Sequence, residues 1–112
     1  MPYINLRTNK KIDSENQEII KTKLGEDIKL LGKSEDWLMI EFSSNEDMYF
    51  RGKKDDLAYV EVKLYGRSDS SHYKLMTESI TNLLVSNLNI PPNNIYVSYF
   101  ETTNWGWNGN NF

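Results

Sequence analysis

The feature that most constrains the fold is an internal repeat. The segment PYINLR at Pro2–Arg7 resembles AYVEVK at Ala58–Lys63, and WLMIEF at Trp37–Phe42 resembles IYVSYF at Ile95–Phe100. All four segments are rich in the β-branched and aromatic residues typical of strands. A helical pattern separates the two members of each unit, and a crossover of that length implies parallel pairing. The repeat therefore predicts two β-α-β units in one α/β domain, residues 1–112.

Two helices are predicted between these strands. The first begins with a capping box at Ser14–Gln17 and ends at Gly32, and its apolar positions are Ile20, Leu24, Ile28 and Leu31. The second runs over Ser70–Leu88 and stops before Pro91 and Pro92, which disfavour helix. The expected strands are Tyr3–Arg7, Trp37–Phe42, Ala58–Leu64 and Ile95–Phe100. Together they predict a four-stranded mixed sheet with both helices on one face.

The segment Ser43–Leu57 is polar at both ends and apolar in its centre. This pattern predicts a loop, a short extra strand at Met48–Phe50 and a turn at Gly52. The far face of the sheet would carry large side chains, among them Tyr3, Tyr59 and Tyr99, with no further helix to cover them. Self-association is the economical way to cover that face.

Composition excludes several classes of function. The chain has no cysteine and one histidine, so a thiol nucleophile, a disulfide and a cysteine or histidine metal site are poorly supported, and we predict no metal and no cofactor. A formal net charge of −3 offers no basic surface for nucleic acid. Charged residues throughout the first twenty positions leave no apolar run for a signal peptide or membrane span. The default expectation is a cytoplasmic protein with neither nucleic acid nor membrane as a partner.

Four segments, taken in order, resemble the macrophage migration inhibitory factor family of the tautomerase superfamily. They are MPYINLRTN at the start, LGK at Leu31–Lys33, MYFRG at Met48–Gly52, and IPPNNIYVSYFETTNWGWNGNNF at Ile90–Phe112. Their order and spacing cover essentially the whole chain. The resemblance implies the duplicated β-α-β tautomerase fold and a homotrimer, in which the sheets form an internal barrel that covers the open face.

The resemblance also implies a use for Pro2. Family members use the proline that methionine removal frees as a general base for keto-enol tautomerisation of compounds such as phenylpyruvate. A free α-amine titrates near ~7.7 to 8.0, and burial beside a cation lowers its pKa further, which suits a general base. Lys33 is the implied cation and would also hold a substrate carboxylate. Two plainer interpretations stay open: Pro2 as a tolerated first strand residue, and Lys33 as a cation that offsets the helix dipole.

The same resemblance implies the rest of the pocket. The backbone amide of Tyr65 would bind the substrate carboxylate, and aromatic walls would come from the tail, from Trp37 and from Tyr96 of a neighbouring subunit. Ser98 stands where several vertebrate members have an asparagine, and Trp105 stands where a small aliphatic side chain is usual, so substrate preference is expected to differ. The tail residues concerned are Trp105, Trp107 and Phe112. Alternatively, the tail packs on the sheet or on another subunit, and Tyr96 is an ordinary strand tyrosine.

Two functional hypotheses follow. The first is a phenylpyruvate-type tautomerase that acts on small aromatic 2-oxo acids without a cofactor. The second is a cytokine-like protein that binds a protein receptor through the trimer surface and whose pocket is vestigial. Export without a signal peptide stays open. A trimer with neither role is a third alternative.

Overall fold

The computed structural model describes residues 1–112 and contains one mixed sheet with two helices on one face. The order along the chain is β1 (Pro2–Thr8), α1 (Ser14–Asp27), β2 (Met39–Ser43), β3 (Ala58–Tyr65), α2 (Ser70–Leu88) and β4 (Ile95–Thr102), followed by β5 (Gly106–Trp107) and β6 (Asn110–Asn111). Strands are ordered β2-β1-β3-β4, and β5 pairs with β6 in a separate hairpin. Pairing is parallel inside each β-α-β unit and antiparallel between β1 and β3. The predicted fold class is confirmed.

The core lies between the sheet and the helices. Alternate residues of β1 and β3 point towards the helices, as the period of two requires, and meet the apolar stripes of α1 and α2. Each such side chain contributes about 1.5–3 kcal/mol when it is fully buried. The central members, all essentially inaccessible, are Ile4, Leu6, Ile20, Leu24, Val60, Val62, Met76, Ile80 and Leu84.

The start of α1 differs from the capping-box prediction. The N-cap residue is Asp13, with φ −73° and ψ 168°, and its Oδ1 accepts a hydrogen bond from Asn16 N–H at 2.8 Å. Ser14 is already the first helical residue. Both residues are good N-caps, and the extended backbone at Asp13 decides between them. The end of the helix is as predicted, because a 3₁₀ turn at Ile28–Leu31 stops at Gly32 in the left-handed conformation, φ 74°.

The second strand begins later than predicted. Trp37 is the last residue of a 3₁₀ turn, Glu35–Trp37, and β2 starts at Met39. The Ser34 hydroxyl accepts from Asp36 N–H and the Glu35 carbonyl accepts from Leu38 N–H, so the backbone is committed to a turn where the apolar pattern indicated a strand. Trp37 is therefore a turn residue.

Two further expectations are corrected outside the core. The Met48–Phe50 segment forms no strand; Phe50 makes a single bridge to Lys53, and the intervening turn contains Gly52 at φ 77°, as predicted. Tyr99 lies on the helix side of β4, where its hydroxyl donates to the Tyr73 carbonyl at 3.1 Å. Its partner on β3 is Val62, which is buried against the helices, so Tyr99 points to the same face.

The open face of the sheet carries polar pairs between its tyrosines. Glu61 forms salt bridges with Arg7 at 3.6 Å and with Lys63 at 3.9 Å. The Tyr59 hydroxyl bonds to the Ser98 hydroxyl at 2.7 Å. This face is therefore more polar than the expected row of tyrosines.

Neither α-helix combines the length and the hydropathy that a membrane span requires.

Candidate functional site

The N-terminus, Lys33 and Tyr65 meet at one corner of the sheet. Pro2 is buried and pairs with Leu64 across the β1–β3 ladder. The next ladder bond runs from Tyr65 N–H to the Met1 carbonyl at 3.1 Å. Strand pairing thus brings the first residues of the chain beside the end of β3, more than sixty positions later in the sequence.

Lys33 reaches this corner because of the turn that ends the first helix. Gly32 takes the left-handed conformation, which residues with a Cβ adopt at a cost, and the next residue is turned back towards the sheet. The Lys33 ammonium donates to the Tyr65 carbonyl at 2.8 Å. Lys33 makes no salt bridge. The corner therefore holds a partly buried cation whose charge is not neutralised by a carboxylate.

The local environment favours a neutral amine. Burial lowers the pKa of the N-terminal amino group of Met1 below its usual value, and the Lys33 charge lowers it further. Pro2, the next residue, is more buried than Met1. A neutral secondary amine beside a cation can accept a proton.

Aromatic side chains of the C-terminal tail pack on Tyr65 and on Trp37. Trp37 and Trp107 contact each other edge to face, with ring centroids 5.0 Å apart. Phe112 lies 5.5 Å from the Tyr65 ring, and its N–H donates to the Trp105 carbonyl at 3.0 Å. Trp37, Trp107 and Phe112 are each about half exposed, and Phe112 brings flat apolar surface next to Tyr65.

The tail is held in place by a hairpin that the sequence analysis missed. Asn108 and Gly109 have φ values of 52° and 77°, the geometry of the two central residues of a type I′ turn. The turn pairs Trp107 with Asn110 and returns Phe112 to Trp105. The dipeptide Asn-Gly between short polar and aromatic runs is the signal that could have predicted it.

Tyr96 and Ser98 do not join the other candidates. They lie on the open face of β4 opposite Tyr59 and Glu61, whereas the corner is at Tyr65. At about 3.3 Å per residue, Tyr96 is roughly 20 Å along the strand from the corner. Tyr96 contacts Phe50, with ring centroids 5.2 Å apart, beside an apolar cavity of about 80 Å³. Within one chain the predicted residues therefore form two groups.

A second set of polar residues, absent from the sequence predictions, lies behind the corner. The Tyr73 hydroxyl donates to Glu101 at 2.5 Å, and the Ser68 N–H donates to both residues at 3.2 Å. No sequence pattern links Glu101 with Ser68 and Tyr73, because the pairing of β3 with β4 brings Glu101 beside the end of β3, where the loop to α2 begins. No group of three or more histidine, cysteine, aspartate or glutamate side chains could hold a metal ion.

Comparison with known families and sequences gives a consistent result. The family model described as Macrophage migration inhibitory factor (MIF) matches residues 1–112. A macrophage migration inhibitory factor homolog from Wuchereria bancrofti is 30% identical over 118 residues, covering 100% of this chain and 99% of that protein. A macrophage migration inhibitory factor from Xenopus laevis is 28% identical over 114 residues, with the same coverage.

Solved structures agree with the sequence comparison. The crystal structure of MIF2 from Leishmania major superposes with a TM-score of 0.94 at 33% identity, covering 100% of this chain and 97% of that chain. A homologue from Prochlorococcus marinus gives a TM-score of 0.84 at 30% identity, with 98% of each chain covered. The similarity includes the order of the strands and the position of both helices.

Proposed function

Because this chain belongs to the macrophage migration inhibitory factor family, within the tautomerase superfamily, we propose that it is a keto-enol tautomerase of aryl pyruvates such as phenylpyruvate. Pro2 is the general base in this proposal, acting through its secondary amine after Met1 has been removed. Lys33 and the Tyr65 amide bind the substrate carboxylate. The observation that carries the proposal is the meeting of the N-terminus, an unpaired cation and the end of β3 at one aromatic corner.

The proton transfer follows from these groups. Neutral Pro2 takes a proton from C3 of the keto acid, and the electrons of that C–H bond form the C2–C3 double bond of the enol. The π electrons of the C2 carbonyl move onto its oxygen, which takes a proton from water. In the reverse direction protonated Pro2 returns its proton to C3 while the enol hydroxyl releases its proton to water. The Lys33 charge contributes twice, because it lowers the pKa of the amine and attracts the carboxylate. Apolar walls from Trp37, Trp107 and Phe112 suit a flat aryl group.

Met1 blocks this site in two ways when it is present. Its peptide bond converts the Pro2 nitrogen into an amide that is not basic, and its carbonyl occupies the Tyr65 N–H at 3.1 Å. Removal of Met1 would expose both the base and a hydrogen-bond donor for the carboxylate. The proposal therefore requires Pro2 to be the first residue of the active protein.

The test is the ultraviolet absorbance change of phenylpyruvate during keto-enol interconversion. We expect activity from protein whose first residue is Pro2, as verified by intact mass, and none from protein that retains Met1. Lys33→Met should reduce kcat/KM about tenfold or more, as expected for a lost charged hydrogen bond. Lys29→Met is the matched control, because Lys29 lies in the 3₁₀ turn just before Lys33 and is exposed.

Two results would contradict the proposal. Equal activity with and without Met1 would exclude Pro2 as the base. No activity in either form, with the fold intact, would exclude an aryl pyruvate tautomerase and would favour the receptor-binding alternative, which predicts binding that persists in Pro2→Gly.

A further inference from the structure

The loop Gly66–Asp69, which follows β3, is held at three points. Gly66 N–H donates to the Thr102 carbonyl at 2.8 Å. Ser68 N–H donates to both the Tyr73 hydroxyl and Glu101 Oε2 at 3.2 Å. Asp69 then accepts from His72 N–H at 3.0 Å and caps α2. The loop is thus fixed to β4 and to the first turns of α2.

Tyr73 and Glu101 form the middle of these attachments. The Tyr73 hydroxyl donates to Glu101 Oε2 at 2.5 Å, and the Tyr73 ring packs on Tyr99 with centroids 4.4 Å apart. The Tyr99 hydroxyl in turn donates to the Tyr73 carbonyl. One carboxylate oxygen therefore accepts from a side chain on α2 and from the loop backbone, which joins β4, α2 and the loop in one network.

This network lies directly behind the polar corner. The loop starts at the residue after Tyr65, whose carbonyl is the acceptor for the Lys33 ammonium. A Cβ built on Gly66 would lie 3.7 Å from Lys33 Nζ, so the ammonium lies beside the first residue of the loop. A shift of the loop would therefore rotate the Tyr65 carbonyl and move the group that orients Lys33.

We propose that Tyr73 and Glu101 are positioning residues for Lys33 in carboxylate binding, because they fix the loop that sets the direction of the Tyr65 carbonyl. This inference rests on the proposed function, in which Lys33 binds the substrate carboxylate. Neither residue touches the substrate. The expected consequence is a role in KM for acids, with little effect on proton transfer itself.

The protonation states of the pair suit this role near neutral pH. Burial and the bond to Glu101 raise the pKa of Tyr73 to about 12, so its hydroxyl stays a donor. The bonds from Tyr73 and Ser68 lower the pKa of Glu101, with a smaller effect of the Arg67 charge, so its carboxylate stays an acceptor. Tyr99 is the other titratable group that packs on this pair, and its pKa is raised by burial. The network therefore keeps its hydrogen bonds across the pH range of the assay.

The test compares Tyr73→Phe, Glu101→Ala and Glu101→Gln in protein with free Pro2. Tyr73→Phe and Glu101→Ala should raise KM for phenylpyruvate about threefold to tenfold, which is less than the effect of Lys33→Met because the ammonium is still present, while kcat changes less than about twofold. Glu101→Gln retains an acceptor oxygen, so its KM for phenylpyruvate should stay close to that of the parent protein. With the methyl ester of phenylpyruvate, which lacks the charge that Lys33 recognises, all variants should match the parent protein.

Ser79→Ala serves as the control for a general loss of stability. It removes a buried hydrogen bond on α2 more than one helical turn beyond Tyr73, and Ser79 contacts Asp27 and not the loop. Its KM for phenylpyruvate should be unchanged. Equal losses for acid and ester, or a KM effect in Ser79→Ala as large as in Tyr73→Phe, would overturn the inference.

A second measurement separates this inference from the proposed function. Amide hydrogen exchange by NMR reports on the loop without any turnover, and Tyr73→Phe should speed exchange at Gly66 and Ser68 about tenfold, with no change in Ser79→Ala. If the parent protein lacks activity, the proposed function fails, and carboxylate binding by Lys33 is then tested with phenylpyruvate titrated into the same NMR samples. A Kd for phenylpyruvate equal in the parent and Tyr73→Phe would refute the positioning role, as would unchanged exchange.

Discussion

The buried carboxyl group of Asp27 should lower the free energy of unfolding at neutral pH. It is 4% exposed at the end of α1. Its Oδ1 accepts from the Ser79 hydroxyl at 2.8 Å, and its Oδ2 has no hydrogen-bond partner. Burial raises the pKa of this carboxyl above its usual value; the Ser79 bond and the Lys23 charge oppose that shift, whereas Glu26 adds to it. The ionised form is therefore poorly accommodated.

Asp27→Asn should stabilise the protein at neutral pH. The substitution keeps an oxygen for Ser79 and removes a charge, while an unsatisfied buried group costs about 1–3 kcal/mol and more when charged. Because the asparagine amide is also buried, we expect a net gain of about 1 kcal/mol. For a domain of this length that corresponds to a rise in Tm of about 4 °C.

The gain should depend on pH in a defined direction. In the folded protein Asp27 binds its proton more tightly than in the unfolded chain, where aspartate titrates near ~3.9. Wild-type stability therefore falls, relative to the variant, as pH rises from that value through the folded pKa. The advantage of Asp27→Asn should be full at pH 7 and mostly lost at about pH 3.5, where the carboxyl is largely protonated in both the folded and the unfolded state.

Urea denaturation at fixed protein concentration measures this difference, since association between copies would otherwise shift the midpoint. Ser79→Ala is the companion variant and should lose about 1–3 kcal/mol at pH 7, with a smaller loss in acid, because a second Asp27 oxygen is left without a partner. A less stable Asp27→Asn at pH 7, or a difference that is constant from pH 3.5 to 7, would refute the reasoning.

Three further predictions concern packing and backbone geometry. Ile80→Ala should lower the free energy of unfolding by about 2–5 kcal/mol in urea, because Ile80 is completely buried in the core. Gly109→Ala should cost about 1 kcal/mol of hairpin stability at φ 77°, seen as weaker near-ultraviolet circular dichroism from Trp107, and an unchanged spectrum would contradict the assigned turn. Gly25→Ala should stabilise the Glu35→Ala variant by about 0.5–1 kcal/mol through helix propensity. The gain should be smaller in wild type, where the added Cβ would clash with the Glu35 carboxylate. Thermal unfolding of the four proteins checks this, and equal gains in both backgrounds would exclude the steric conflict.

Local sequence was sufficient to predict most of the fold. The predictions were wrong where one segment is compatible with two local structures. The repeated strands and the helix spacing predicted the sheet and both helices, because periodic burial leaves a periodic pattern. Asp13 and Ser14 are adjacent N-cap residues, and only the backbone angles choose Asp13. Trp37 continues an apolar run, yet the Ser34 cap holds it in a turn. Tyr99 was assigned to the wrong face because tyrosine is compatible with either side of a sheet.

Periodic patterns in the chain were enough to identify the two β-α-β units and the apolar stripes, and family resemblance supplied the candidates Pro2, Lys33 and Tyr65. Which of these candidates meet depends on the folded arrangement. Antiparallel pairing of β1 with β3 brings the N-terminus to Tyr65, and the Gly32 turn brings Lys33 to the same carbonyl. Parallel pairing of β3 with β4 places Tyr96 opposite Tyr59, at the far end of β3 from Tyr65. The physical reason is that side-chain type and spacing are local properties, whereas strand register and helix ends set distances between residues far apart in the chain.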